Sequence, residues 1–369
     1  MALSDDELSA ADLTNAQNNW IEWPSRKHCN NLPPGAVTGF EWKDYCPRAF
    51  RLIQELDNID KDDYMILVCS DETIRKVTST SRPGNMFLFS NDTGFAIKTL
   101  RKSEVKILLE MLPGYYSHLK RFRNTVLNKL YGVHAVTPFG GTKAYFVVVA
   151  NIFKSDLYMH RCYDLKGSLQ GRKLEKMRYR DKILHKESDL DFIFYIKPLV
   201  RQRLLKQIQH DCAFLEATGI MDYSLMLGLH VKESPKGCAD SRCSNNGMRV
   251  FDVELHQSDL ASRRPFLASY VTLVQIVNGR EFRRSVARNN RSGSALPCRN
   301  VTVIECYDVL LCFGVVDFFQ NYSVIKRIEH AYKSLQFDRR MIAAVHPKAY
   351  SSRFQEFISD IFKADECLT

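Results

Sequence analysis

Two aspartates lie at the edges of apolar runs in the second half of the chain. Asp222 is the second residue of MDYSLMLGLH (221–230), and Asp317 interrupts VLLCFGVVDFF (309–319). A carboxylate at the edge of a buried strand is unfavourable unless it has a partner or a task. One carboxylate could orient or deprotonate an attacking hydroxyl, and the other could hold Mg2+ on a triphosphate. For either residue alone, a helix cap or a strand-end position is the alternative.

A lysine stands among apolar residues in FAIKTL (95–100). Lys98 shares its predicted strand face with Ala96 and Leu100, which is unfavourable unless the ammonium reaches a cleft. In a kinase-like fold, a lysine at this place contacts ATP phosphates and a helix glutamate. Glu104, in the segment that follows, is the first candidate partner. The alternative is a lysine on an edge strand that faces water.

Two predicted turns could also contact phosphates. STSRPGNMF (79–87) could fold over them through backbone N–H groups, although Gly84 is its single glycine and the spacing favours a plain hairpin turn. DLKGS (164–168) places Lys166 beside a glycine after a predicted strand, where the turn could present a charge to a phosphate. The alternative for Lys166 is a solvated lysine in an ordinary turn.

The composition is that of a globular protein with a basic surface. The 369 residues carry a formal net charge of +10, which indicates an anionic partner: nucleic acid, an acidic membrane surface or a phosphorylated substrate. The 11 cysteines lack a C-x-x-C zinc spacing, which favours a reduced, cytoplasmic compartment. We expect neither a secretory signal nor a membrane span, because no apolar run reaches about 18–20 residues.

Apolar periodicity predicts the elements that must position these residues. They are a hairpin over 85–100, a helix over 102–112 that Ser103 caps and Pro113-Gly114 ends, a strand over 144–153, a helix over 204–219 that ends at Gly219, strands over 221–230 and 309–319, and a helix from 351 to 362. Strands that end in aspartates alternate with helices, which predicts an α+β fold of two lobes with a ligand cleft between them. Together with the isolated lysine and the basic charge, this pattern indicates phosphoryl transfer.

Several long motifs resemble the phosphatidylinositol phosphate kinases. They are DLKGS (164–168), MDYSLMLGLH (221–230) and FGVVDFFQNYSVIKRIEHAYKSLQ (313–336). FEWKDYCPRAF (40–50) and HPKAYSSRFQEFI (346–358) are similar to the plant type I enzymes, the phosphatidylinositol 4-phosphate 5-kinases. The resemblance runs from about residue 40 to residue 362.

The resemblance implies a role for each candidate residue. Lys98 matches the lysine that binds ATP phosphates, with Glu104 as its partner, and Lys166 matches the lysine of the D-L-K-G-S motif near the phosphates. Asp222 matches the catalytic aspartate. Asp317 matches the aspartate that binds Mg2+, although the family's I-I-D is Val-Val-Asp here.

The resemblance also implies an activation, or specificity, loop over 318–350. Its apolar and basic side chains suit a lipid headgroup region. In the family, a glutamate in this loop accompanies phosphatidylinositol 4-phosphate as substrate, and an alanine accompanies the 5-phosphate. Glu329 occupies that place, and the family's paired lysines appear as Lys326 and Arg327. Without the resemblance, an ordinary amphipathic surface helix is the alternative.

The implied fold is the two-lobed kinase-like one, with antiparallel sheets, flanking helices and an ATP cleft between the lobes. A flexible arm covers residues 1–39, an N-lobe with the ATP lysine covers 40–154, and a C-lobe covers 155–369. The C-lobe includes a variable, arginine-rich insertion over 232–300. The N-terminal MORN repeats of longer plant relatives do not occur in this sequence, so the expected protein is a short form.

The implied activity is transfer of the ATP γ-phosphate to phosphatidylinositol 4-phosphate with Mg2+, at the inner face of the plasma membrane and without a nucleic acid partner. The glycine-poor turn at Gly84 leaves an alternative, a weakened kinase that mainly binds anionic lipid or the cytoskeleton. A protein kinase is disfavoured because H-R-D-x-x-x-x-N and D-F-G are missing from the sequence. The sequence leaves a cytoskeletal partner and a homodimer open.

The assignment of Glu329 predicts a change in lipid preference. Replacing the carboxylate by Glu329→Ala should lower the rate on the 4-phosphate lipid relative to the 5-phosphate lipid. Purified wild-type and variant protein would each be assayed with both lipids. An unchanged ratio of the two rates would remove Glu329 from substrate selection.

Overall fold

The computed structural model describes fifteen parts of the chain. They are residues 12–13, 16–22, 39–62, 64, 75–78, 86–89, 94–138, 140–153, 158–167, 177–179, 182–190, 193–231, 270–276, 305–322 and 345–364. Within these ranges, no helix is long and apolar enough to span a bilayer.

Among the described residues, the first sheet has seven antiparallel strands in the order β1-β2-β6-β7-β5-β4-β3. Their bounds are β1 Ala16–Glu22, β2 Gly39–Tyr45, β3 Arg75–Thr78, β4 Met86–Phe89, β5 Phe95–Leu100, β6 Leu130–Pro138 and β7 Ala144–Ala150. The predicted hairpin is confirmed, since β4 and β5 pair with Phe87 opposite Lys98. β5 also pairs with β7, so it lies inside the sheet and not at its edge.

The second sheet, counted over the same described ranges, has eight strands in the order β17-β11-β14-β15-β13-β8-β10-β9. Their bounds are β8 Arg161–Leu165, β9 Met177–Tyr179, β10 Lys182–His185, β11 Ile193–Ile196, β13 Ser224–Val231, β14 Tyr270–Ile276, β15 Glu305–Val316 and β17 Phe362–Ala364. β12 Ile220–Met221 and β16 Gln320–Asn321 form a separate pair. The chain passes from the first sheet to the second between β7 and β8, the interval that contains the predicted boundary at residue 154.

In the part of the chain that the structure describes, the α-helices that flank the sheets are α1 Pro47–Leu56, α2 Lys102–Arg121, α3 Pro198–Ala217 and α4 Pro347–Ile361. A short 3-10 helix spans Glu187–Asp189. α3 ends just before Gly219, whose φ of +71° suits the predicted helix stop. The mixture of helices with mainly antiparallel strands confirms the predicted α+β class.

The predicted end and cap of the second helix are wrong. α2 continues through Pro113 to Arg121, because its last two turns bury apolar side chains such as Tyr115 and Leu119. That burial outweighs the backbone hydrogen bond lost at proline. Ser103 lies inside the first turn, and Glu104 supplies the cap by accepting the Arg101 N–H at 2.7 Å.

Two segments predicted as an arm and an insertion contain sheet strands. Within the arm 1–39, β1 pairs with β2 along its whole length. Within the insertion 232–300, β14 lies between β11 and β15 in the second sheet. These strands form because inter-strand pairing stabilises segments whose local pattern is weak, and the predicted domain bounds stay a prediction.

One buried carboxylate joins α2, α3 and the segment before β6. Asp211, on α3, lies 2.6 Å from Nε2 of His118 on α2. It also accepts the Thr125 hydroxyl at 2.7 Å and the Val126 N–H at 2.8 Å. Since Asp211 is almost fully buried, these bonds compensate for its lost hydration.

The segment that Asp211 holds pairs in turn with β15. The Val315 N–H donates to Val126 O at 2.7 Å, and the Asn128 N–H donates to Val315 O at 2.8 Å. Val315 is two residues before Asp317, so this pairing fixes the strand end from which Asp317 projects.

Candidate active site

The two candidate aspartates lie at one break between two pairs of strands. β13 and β15 pair as far as Ser224 and Val316, and β12 and β16 resume the pairing at Met221 and Gln320. Between these points, two residues of one segment face three residues of the other. One aspartate lies in each segment, so the fold brings both to the same place.

Both aspartates have left-handed backbone conformations, with φ of +63° at Asp222 and at Asp317. Most L-residues avoid this region because Cβ crowds the carbonyl, whereas aspartate tolerates it better than most. Such conformations cluster at functional sites, where the surrounding structure enforces them. The register break and the two conformations together end the regular alternation of the strands at this point.

Lys98 reaches the break from the first sheet. Its side chain is only 5% exposed, and Nζ donates to Oδ1 of Asp317 in a short ion pair. Nζ also lies 4.9 Å from the ring centroid of Phe319, within the range of a cation–π contact. The alternative of an edge-strand lysine that faces water is therefore wrong.

Lys166 reaches the same break from the end of β8. Its Nζ donates to Oδ1 of Asp222 at 2.6 Å and to the carbonyl oxygen of Asp222 at 2.7 Å. The two side chains are 13% and 11% exposed. Charge-assisted hydrogen bonds are stronger at such a largely buried site than in water. Lys166 therefore holds both the backbone and the carboxylate of Asp222.

The break thus gathers four of the predicted site residues as two lysine–aspartate pairs. Glu104 lies at the start of α2, where its carboxylate caps the helix, and its pairing with Lys98 stays a prediction. Four further candidates lie outside the described residues: Gly84, Lys326, Arg327 and Glu329.

The donors at the break fit a magnesium-bound phosphate. Mg2+ prefers oxygen ligands and usually takes one or two carboxylates together with phosphates and water. The Asp317 side chain is 40% exposed, so a ligand can reach it, and the ammonium of Lys98 lies beside it. A carboxylate for the cation and an ammonium for the anion therefore stand side by side.

The sequence patterns did not indicate the residues that support the two lysine–aspartate pairs through backbone hydrogen bonds. Oε1 of Glu187 accepts the N–H groups of Lys166 and Gly167, the second at 2.9 Å. The Tyr350 hydroxyl, on α4, donates to the carbonyl oxygen of Tyr223, the neighbour of Asp222. These partners are distant in the chain, and periodicity carries no signal for such contacts.

Burial sets the electrostatics of this supporting layer. It raises the pKa of the Tyr223 hydroxyl well above its ordinary value, so the group stays protonated. It also lowers the pKa of the Arg353 guanidinium on α4, while Tyr350, Asp222 and Glu187 act in the opposite direction. Arg353 thus lies in the electrostatic field of the Lys166–Asp222 pair.

The left-handed conformation of Asp317 predicts an unusual order of stability. Asp317→Gly and Asp317→Ala both remove the partner of Lys98, but only alanine keeps a Cβ at φ +63°. We expect the alanine variant to have a free energy of unfolding about 1 kcal/mol lower than the glycine variant. Urea denaturation of both proteins measures the difference, and equal or reversed stabilities would contradict the strain at this residue.

Comparison with known proteins identifies the family of this chain. The family model for phosphatidylinositol-4-phosphate 5-kinase matches residues 68–361. Phosphatidylinositol 4-phosphate 5-kinase 10 of Arabidopsis thaliana is 44% identical, and the match covers 98% of each chain. Phosphatidylinositol 4-phosphate 5-kinase 1 of Arabidopsis thaliana is 38% identical over 96% of this chain and 49% of its own. The resemblance seen in the motifs is confirmed, and the chain belongs to the phosphatidylinositol-4-phosphate 5-kinase family.

Proposed function

We propose that this protein transfers the γ-phosphate of ATP to the 5-hydroxyl of phosphatidylinositol 4-phosphate, which gives the 4,5-bisphosphate. The observation that carries the proposal is the strand break at which Asp222 and Asp317 each meet a lysine. The names of the relatives support the lipid substrate and the reaction. ATP is the phosphate donor that a kinase of this family requires.

Asp222 is the group that we assign to the acceptor hydroxyl. A loose phosphoryl-transfer transition state needs an oriented nucleophile more than a strong base. Asp222 would therefore hold the inositol hydroxyl and accept its proton late. Its bonds to Lys166 fix the carboxylate in one orientation before the lipid arrives.

The two lysines would stabilise the phosphate that is transferred, and Asp317 would do so through Mg2+. Lys98 and Lys166 place positive charge on both sides of the break, where it offsets negative charge on the transferred group. Asp317 would hold Mg2+, which when bound supplies further positive charge to the phosphate oxygens. Lys98 and Asp317 contact each other directly, so binding would exchange this ion pair for contacts of Lys98 with phosphate and of Asp317 with Mg2+.

The decisive test replaces the proposed base. Asp222→Asn keeps the size and tolerates the left-handed backbone but removes the charge, and we expect a loss of about 10²–10⁴-fold in lipid phosphorylation. Asp360→Asn, at an exposed aspartate on α4, is the matched control. Activity is measured as ATP-dependent phosphate transfer to vesicles, and folding is checked by circular dichroism.

The outcomes separate the proposal from its alternative. Near-wild-type activity of Asp222→Asn would refute the catalytic assignment. Wild-type protein that binds anionic vesicles but shows no turnover with ATP and Mg2+ would instead support a lipid-binding module.

We further propose that the basic surface docks on the cytoplasmic leaflet through the loop that contains Lys326 and Arg327. The net charge of +10 and the two adjacent cations support this role. The double variant Lys326→Glu, Arg327→Glu should bind vesicles with phosphatidylserine more weakly than wild type, and wild-type binding should fall as salt rises.

Vesicle sedimentation measures this docking. A control with the same change of charge carries glutamates at the exposed Lys106 and Lys120 of α2. Equal binding by wild type and the loop variant, or equal losses in loop variant and control, would contradict docking through the loop.

A further inference from the structure

The turn that carries Lys166 is held by a carboxylate that the proposed reaction does not use. Oε1 of Glu187 accepts two successive backbone N–H groups, those of Lys166 and Gly167. Gly167 has a left-handed φ of +68°. Successive N–H groups in such a turn converge on a single anion, and here that anion belongs to the protein itself.

This arrangement fixes Lys166 at both ends. Its backbone N–H is bound by Glu187, on the 3-10 helix after β10, and its Nζ is bound by the carboxylate and carbonyl oxygens of Asp222. Lys166 therefore connects two carboxylates: its backbone N–H binds Glu187, and its ammonium group binds Asp222. A shift of the turn would move Nζ away from Asp222.

The C-terminal helix limits how the turn could relax. A Cβ built on Gly167 would lie 3.0 Å from Cβ of Phe357 and 3.6 Å from the carbonyl oxygen of Arg353, both on α4. The turn is thus packed against α4 on one side and bound by Glu187 through its N–H groups. Because α4 blocks movement on one side, the hydrogen bonds to the Glu187 carboxylate determine the orientation of the turn.

We infer that Glu187 is a positioning residue for phosphoryl transfer, which acts by orienting the Lys166 turn so that Nζ stays on Asp222. This inference rests on the proposed function, because only that function gives the Lys166–Asp222 pair a reaction to serve. Glu187 itself touches neither the phosphates nor the lipid in this assignment.

The first test measures the position of Lys166 without any reaction. Purified protein is treated with an acetylating N-hydroxysuccinimide ester, and the rate of labelling at Lys166 is followed by mass spectrometry. In Glu187→Ala the turn loses its acceptor, Nζ leaves Asp222, and Lys166 should label several-fold faster than in wild type. Asp189→Asn removes a charge from the same 3-10 helix and should label at the wild-type rate.

The second test measures the consequence for the reaction. Glu187→Ala should lower kcat about tenfold, the size expected for charge-assisted hydrogen bonds, with the KM for ATP unchanged. In a Lys166→Ala background, Glu187→Ala should cause no further loss of kcat. A merely structural role would lower kcat in both backgrounds.

A milder variant covers the case in which Glu187→Ala does not fold. Glu187→Gln keeps a neutral acceptor for both N–H groups, and its labelling rate and kcat should fall between those of wild type and the alanine variant. Wild-type labelling in every folded Glu187 variant would overturn the inference, as would equal losses of kcat with and without Lys166. The wild-type protein could lack kinase activity while Glu187→Ala still labels faster at Lys166. That result would refute the proposed function but support the positioning of Lys166 by Glu187.

Discussion

Lys98 holds an ammonium group on an interior strand, where water can hardly reach it, and a charge in such a place needs an opposite charge beside it. Asp317 provides that charge from the other sheet. The pair therefore ties the two sheets together at the break where the two lysine–aspartate pairs meet. Residues as far away as Asp211 serve this contact, since they hold the segment that fixes the end of β15.

A second constraint acts on the backbone at the same place. Two aspartates take left-handed conformations opposite each other, and the strands lose their register there. Regular strands would send neighbouring side chains to alternate faces of the sheet. The irregular stretch lets carboxylates and lysines from four separate segments share one small volume.

Residue type and local pattern sufficed to single out the four residues that meet at the break. Lys98, Lys166, Asp222 and Asp317 stand out because a charge within or beside an apolar strand is rare. Their pairing could not be predicted, since Lys98 and Asp317 are 219 residues apart and only the tertiary fold joins them. The same reason hides Glu187 and the strands β1 and β14, whose stability comes from partners elsewhere in the chain. At Pro113 the local rule for a helix end is overridden by burial of the residues that follow.

The hydrogen bonds that converge on Asp211 have a mechanical consequence. They join α2 to α3 next to β15, and we expect this junction to be the pivot for relative motion of the two sheets. A rotation that widens the space between the sheets would leave this pivot almost still and swing the outer strands β3 and β4 through the largest arc. We expect adjustment to a bound nucleotide to be concentrated at that outer edge, while the lysine–aspartate pairs near the pivot keep their spacing.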